Sequence, residues 1–443
     1  MTTIPEPIAP VDKSCFAFHT ISERLPEILV KGLDYFRRAY SSFITVQHLN
    51  LNQEEKVNIE EEAKSILGQF SKLRYEMMTD KQLILLDDNG DDISIWNRYF
   101  NSWTEKLGSC PTYYSIPWLY SECYMYRRVR EIFARSKYFT KFDPFFEQKR
   151  NALKQSMKAT IMLGEYVSRL KVSSESLKDE TIKMFEISLW GNKCDLSLTA
   201  GEDCSQTSSP LDDLSKIRPN ILINDSEHLW SSIKNLISSS SSKPCLDIVL
   251  DNAGFELFTD LCLVEFLHSS GLLPVDKCTV RWYVKTIPWF VSDALRYDFL
   301  WTIDHLIECK ESPLLQSLGN KWKGYITNGT WMIVEDQFWT LPYDFSSMRT
   351  VSPSLYSQLS QAKLLIFKGD LNYRKLVGDL AWENTTPFEV ALRGFHPTDL
   401  CTLRSIKAEV CVGFKDESQW SSLPGDWMRS SDFAVIQYLA KKS

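Results

Sequence analysis

The tightest constraint on the fold comes from four short apolar segments in the second half of the chain. CLDIVLD (245–251), CTVRWYVK (278–285), AKLLIFKGD (362–370) and SIKAEVCVG (405–413) have the length and the branched, aromatic content of buried strands. Helical patterns separate the first three, notably over 255–268 and 292–309. Strands that are apolar on both faces and alternate with helices build a largely parallel sheet covered by helices on both sides. The fold class expected is α/β, a three-layer αβα sandwich with a mostly parallel sheet.

The first half reads as helix. SERLPEILVKGLDYFRRAY offers Ser22 as an N-cap, Pro26 in the first turns and apolar residues at 25, 28, 29, 33 and 36. NQEEKVNIEEEAKSILGQFSKLRYEMM and PWLYSECYMYRRVREIFARS supply two further amphipathic patterns. The character changes near ISLWGNKCDLSL (187–198). The spacing therefore predicts a tail over 1–19, a helical N-terminal domain over 20–185 and an αβα catalytic domain over 186–443. TAGEDCSQTSSPLDDLSK (199–216) reads as an exposed loop, and Ser238 to Ser242 as a flexible lead-in to the first long strand.

Charge and composition narrow the function. A net charge of −7 and a pI of about 5.6 argue against a general binder of nucleic acid or anionic membrane. No apolar run approaches the ~18 residues of a membrane span, and the N-terminus has neither the basic nor the apolar region of a secretion signal. The 11 cysteines include no C-x-x-C pair, which suits a reduced intracellular protein, with a cytoplasmic or also nuclear setting expected. The three N-x-S/T sequons then count as chance matches. Six histidines without H-x-H or H-E-x-x-H spacing argue against zinc.

Three of the strand-like segments end in polar clusters: Asp251-Asn252, Asp293 after TIPWFVS, and Asp370-Leu371-Asn372-Tyr373-Arg374. Open parallel sheets bind ligands outside the carboxyl ends of their strands, so these clusters can share one crevice. Two carboxylates and an amide carbonyl are oxygen donors suited to Mg²⁺, Mn²⁺ or another first-row divalent ion. Gly254 opens a helix whose free N–H groups favour an anion. Arg374, Lys407 and Lys285 add positive charge, so the set matches the needs of a phosphoryl group. Each piece alone has an ordinary reading, as turn, helix cap or solvated charge. The LDDNGDDIS stretch (86–94) looks calcium-like but lacks EF-hand spacing, and reads as an acidic surface turn. No P-loop, dinucleotide fingerprint or nucleophile elbow is present.

VLDNAGFELFTDL, KTIPWFVSDAL, IFKGDLNYRKLVGD and LRSIKAEVCVG together resemble the metal-dependent damage-control phosphatase family, subfamily III. SPWLYSECYMYRR and ISLWGNKCDLSL are similar to it as well, so the likeness spans nearly the whole chain. The resemblance implies a divalent metal (Mn, Ni, Co or Mg) on Asp251, Asn252 and Asp293. With Asp370 these form the implied catalytic set. It implies substrate contacts by Asp251, Asn252, Asp370, Leu371, Asn372, Tyr373, Arg374 and Lys407, with Arg404 as a further candidate; Glu122 and Arg127 are candidates from the YMYRR helical face itself, whose ordinary reading is core aromatics with solvated arginines. The R-T-x-K signature of the family falls on Arg404-Ser405-Ile406-Lys407, with Ser in place of Thr. The implied activity is hydrolysis of small phosphorylated metabolites, hexose phosphates such as fructose 1-phosphate, by metal-activated water. The implied partner is such a metabolite, with no nucleic acid and no membrane. The alternative carried by the same family is an S-adenosylmethionine-dependent carboxyl O-methyltransferase acting on glutamates of a protein partner.

Overall fold

The strands are β1 (Ile221–Asn224), β2 (Cys245–Val249), β3 (Thr279–Val284), β4 (Trp331–Glu335), β5 (Leu364–Lys368), β6 (Leu400–Ser405) and β7 (Ala434–Leu439). In the computed structural model, which describes residues 3–47, 52–191, 210–236 and 245–442, they form one sheet. Its order is β1-β7-β6-β5-β2-β3-β4. All neighbours are parallel except β6 and β7. The chain leaves β2 toward β3 and β4, then returns to lay β5 on the opposite side of β2. The order therefore reverses between β2 and β5, and a crevice opens at such a point beyond the carboxyl ends of both strands.

Side-chain alternation divides the core between the two faces. Leu246, Ile248 and Leu250 of the β2 segment pack with Trp282, Ile366 and Leu403 under the helices Met157–Arg169, Leu177–Leu189, Phe255–Ser269 and Pro313–Thr327. Val249, Tyr283, Leu365 and Phe367 face the other way, into one cluster with the helices Leu25–Gln47, Gln53–Met78 and Trp118–Ala134. The first half of the chain thus supplies helices to both outer layers. The boundary expected at 185/186 falls inside the helix Leu177–Leu189, which packs on Phe255–Ser269. Phe255–Ser269 is buried around nearly its whole circumference, which is why its sequence is apolar on every side.

Three local expectations change. The helix near Ser22 starts earlier, at Phe16 with Cys15 as cap, and passes through a π turn, Thr20–Arg24, before Leu25–Gln47. Pro26 has no N–H, and its ring would collide with the carbonyl four residues back; widening the preceding turn relieves this. The strand expected over 405–413 lies earlier, as β6. The guanidinium of Arg404 donates to the carbonyls of Ala408 and Val410, so the apolar run after β6 is buried as irregular chain and not as strand. Residues 210–216 of the expected loop belong to the helix Pro210–Ile217, while 199–209 and the serine run lie outside the described residues. The buried Asp247 and Arg281, directly paired in register across β2 and β3, neutralise each other through two hydrogen bonds of 2.6 and 2.8 Å.

Candidate active site at the switch point

Beyond the ends of β2, β3 and β5 lies a cavity of about 960 Å³. Asp251, Asn252, Asp293, Asp370, Leu371, Arg374, Lys407 and Glu122 all line it. The first half of the chain contributes further lining residues, including Phe16, Thr20, Arg24, Trp118, Asn151 and Gln155.

The backbone explains how Asp251 and Asp293 meet. Residues 251–253 run antiparallel to 292–294: Ala294 N–H donates to the Asp251 carbonyl at 2.8 Å and Ala253 N–H to the Ser292 carbonyl at 2.7 Å. To make that return, Phe290 and Val291 adopt φ of 41° and 67°. A left-handed conformation at a β-branched residue costs on the order of 1–3 kcal/mol, a strain typical of functional sites. Gly369, at φ 84°, completes the approach from β5. A Cβ there would stand 1.9 Å from Asp251 Oδ2, so only glycine leaves room for that carboxylate.

The site is rich in buried negative charge. Asn252 donates to Asp251 Oδ2 at 2.9 Å and to Glu256 Oε2 at 2.8 Å, and its carbonyl accepts from Ser292 at 2.5 Å. Lys285 Nζ lies 3.1 Å from Asp293 Oδ2 and donates to the Leu250 carbonyl at 3.1 Å. That Asp293 oxygen is buried without a hydrogen bond of good geometry, so the contact is an ion pair only. Burial, then the charges of Glu256 and Asp293, push the Asp251 carboxyl well above its usual range. Burial also raises Asp293, with Lys285 opposing it. Among the described residues no three His, Cys, Asp or Glu side chains converge as metal ligands. The donors at hand are two carboxylates and one amide oxygen, a set that suits a hard divalent ion with water completing its shell. An under-bonded buried oxygen and carboxylates raised chiefly by burial, with acidic neighbours adding to the shift, fit such an ion.

Below the cavity the excess charge is partly met. Lys368 lies 2.8 Å from Asp260 and 3.5 Å from Glu256, and also donates to Ser188. Burial raises Asp260 to about 6 against the pull of Lys368.

Several expected residues stand elsewhere. Asn372 is buried, and its amide donates to the carbonyls of Leu250 and Lys368, tying β2 to the start of its own helix. Tyr373 is fully buried, accepts the Val412 N–H and stacks on Phe388. Arg404 is buried away from the cavity and holds Asp370 Oδ1 at 2.8 Å, which also accepts the Lys407 N–H at 3.0 Å. Arg374 reaches the cavity wall, but Glu122 and Asp379 engage all three of its guanidinium nitrogens, at 2.6, 2.9 and 2.9 Å. Arg127 is not at the site: Asp88 and Asp92 hold it inside the helical layer. The acidic turn expected at 86–94 is thus partly a buried counter-charge, because Arg127 lies on a helix with almost no exposed face.

Comparison with known proteins gives one consistent result. A family model described as the damage-control phosphatase ARMT1-like domain matches residues 20–423. A protein of Xenopus tropicalis named damage-control phosphatase ARMT1 is 43% identical over 434 residues, 95% of this chain and 96% of its own. Proteins of the same name from Macaca fascicularis and Homo sapiens are 42% and 41% identical over 452 residues, 99% of each chain. The methyltransferase alternative is not favoured, since the model and these relatives are all described as phosphatases.

Proposed function

The chain belongs to the ARMT1-like damage-control phosphatase family, and from that premise we propose that it hydrolyses the phosphomonoester of a small metabolite, a hexose phosphate such as fructose 1-phosphate, in the cavity beyond β2, β3 and β5. The observation carrying this reading is that under-neutralised carboxylates from two strand ends line the same cavity as Lys407.

In this reading Asp251, Asn252 and Asp293 hold a divalent cation, Mn²⁺, Mg²⁺, Co²⁺ or Ni²⁺. When bound, such an ion polarises a phosphoryl oxygen and makes water more acidic. Lys407, which has no ion-pair partner among the described residues, holds a second phosphoryl oxygen. Arg374 acts through position: saturated by Glu122 and Asp379, it fixes the wall beside Trp118, over which its guanidinium lies at 3.8 Å. Asp370 has one oxygen committed to Arg404 and Lys407 N–H, and its other oxygen orients the attacking water. The water oxygen bonds to phosphorus as the ester P–O bond breaks. One proton passes to Asp370, and the leaving alkoxide takes a proton from solvent in the cavity. Asn151 and Gln155, which also line the cavity, are amides suited to sugar hydroxyls.

The test is a phosphate-release screen over a panel of phosphorylated metabolites, with each of the four cations in turn and with chelator. Release from hexose phosphates that stops on chelation is expected. Release that chelator leaves untouched removes the cation from the scheme, and no release from any monoester removes the hydrolase.

A further inference from the structure

Among the described residues five cationic side chains line the cavity: Arg24, Lys31, Arg38, Arg374 and Lys407. Three are already neutralised: Lys31 by Glu27 at 2.8 Å, Arg38 by Asp34 and Glu147 at 3.0 and 2.6 Å, and Arg374 by Glu122 and Asp379. Only Arg24 and Lys407 have no ion-pair partner among the described residues. Lys407 belongs with the carboxylates; its charge acts on Asp251. Arg24 comes from the first half of the chain, and its charge acts on Glu122 and on Tyr126, which the charge of Asp293 also reaches.

Arg24 is placed by a specific device. It is the last residue of the π turn Thr20–Arg24, and both ends of that turn line the cavity. Its guanidinium sits 5.4 Å over the ring of Phe16, which packs edge-on against Trp118 at 5.7 Å. Thr20 is 2% exposed, and its hydroxyl has no hydrogen-bond partner among the described residues. A buried hydroxyl without a partner carries a desolvation cost that an acceptor oxygen of a ligand would offset. Single π turns of this kind cluster at functional sites. The cavity volume also lies near the top of the ~300–1,000 Å³ range for small-ligand sites.

We propose that Thr20 and Arg24 form a second anion subsite, which binds an anionic group of the substrate other than the scissile phosphoryl. The preferred substrates are then sugar phosphates with two anionic groups, the second a phosphate or a carboxylate. A guanidinium with a neighbouring hydroxyl recognises either group through charge-assisted hydrogen bonds. The inference rests on the phosphatase reading for the scissile end only.

The experiment compares fructose 1-phosphate, fructose 1,6-bisphosphate and 6-phosphogluconate on the full-length chain, as wild type, Arg24→Ala and Thr20→Val. Calorimetric binding is read with chelator present, so that turnover does not interfere, and KM is read with Mn²⁺. Wild type is expected to bind at least one two-anion compound about 10- to 100-fold more tightly than the monophosphate. Arg24→Ala should bring that ratio toward one, and Thr20→Val should reduce it by a smaller factor. A wild-type ratio near one, or an equal loss of affinity for all three compounds in Arg24→Ala, overturns the subsite. A binding ratio that survives without phosphate release sustains the subsite and removes the hydrolase instead. The two compounds report separately whether the second group is phosphate or carboxylate.

Discussion

Asp88 and Asp92 meet one guanidinium, Arg127, through four hydrogen bonds of 2.7–2.9 Å. Of Asp251 and Asp293, only Asp293 forms an ion pair among the described residues, with Lys285 at 3.1 Å from one of its oxygens. Both pairs are acidic, both are largely buried, and both sit in stretches that look metal-binding as sequence. The first pair is complete within the protein, and its work is to hold the helix Trp118–Ala134 in the layer. The second is left short of positive charge beside a cavity, a condition that costs stability in the free protein and that a cation with a phosphoryl group relieves. The carboxyls respond in opposite directions. Burial works against Asp88, yet Arg127 holds it below its usual range, whereas burial and its acidic neighbours drive Asp251 well above.

The largest test of the contrast is Asp251→Asn. Phosphate release measured with saturating cation should fall about 10³-fold or more, by the scale of lost transition-state contacts, while the urea midpoint of the cation-free protein should hold or rise. Activity within tenfold of wild type would put Asp251 in the same class as Asp88.

Next in size is Arg127→Met. It leaves two buried carboxylates without their partner, a loss of about 3–5 kcal/mol, read as a lower urea midpoint by circular dichroism. The KM of whatever protein remains folded should stay close to wild type, since Arg127 is remote from the cavity lining. A stability change under 1 kcal/mol would mean that Asp88 and Asp92 do not depend on the pair as argued.

The smallest effect is the pH profile of stability without divalent cation. Asp88 has a lowered folded value, so its contribution is present above the usual 3.8 and is lost as acid carries the pH through the lowered value. Asp251 has a raised folded value. Its contribution is full below 3.8 and is lost as pH rises through the raised value. Asp88→Asn should flatten the acid limb and Asp251→Asn the opposite limb. If both variants flatten the same limb, the two regions are electrostatically alike and the comparison fails.

Legibility followed burial. β2, β3 and β5 were readable because central parallel strands are apolar on both faces and carry no competing pattern. β4 was not, since an edge strand with three part-exposed or exposed residues in the middle leaves no continuous run. β6 was displaced in the reading because the irregular segment after it is as apolar as a strand. At the site, Asp251, Asn252, Asp293, Asp370 and Lys407 follow strand ends, a position the pattern marks. Asn372 and Tyr373 adjoin Asp370 in sequence, but the helix Gly369–Val377 turns them from the cavity. Glu256 could have been found from its place in the first turn of the helix after Asp251-Asn252. Thr20 and Arg24 carry no motif, and only the packing of the first half against the sheet brings them to the cavity.

The order of residues by itself determined the layered α/β architecture, the central strands and the carboxylates at their ends, because local burial patterns and strand-to-loop transitions are properties of neighbouring residues. Which charges are neutralised, and so which cations are left for a ligand, was decided in three dimensions. Arg374 with Glu122, Arg127 with Asp88, and Lys285 with Asp293 are partners set by the packing of distant segments. Coulomb energy depends on separation and burial, and neither is a function of position along the chain.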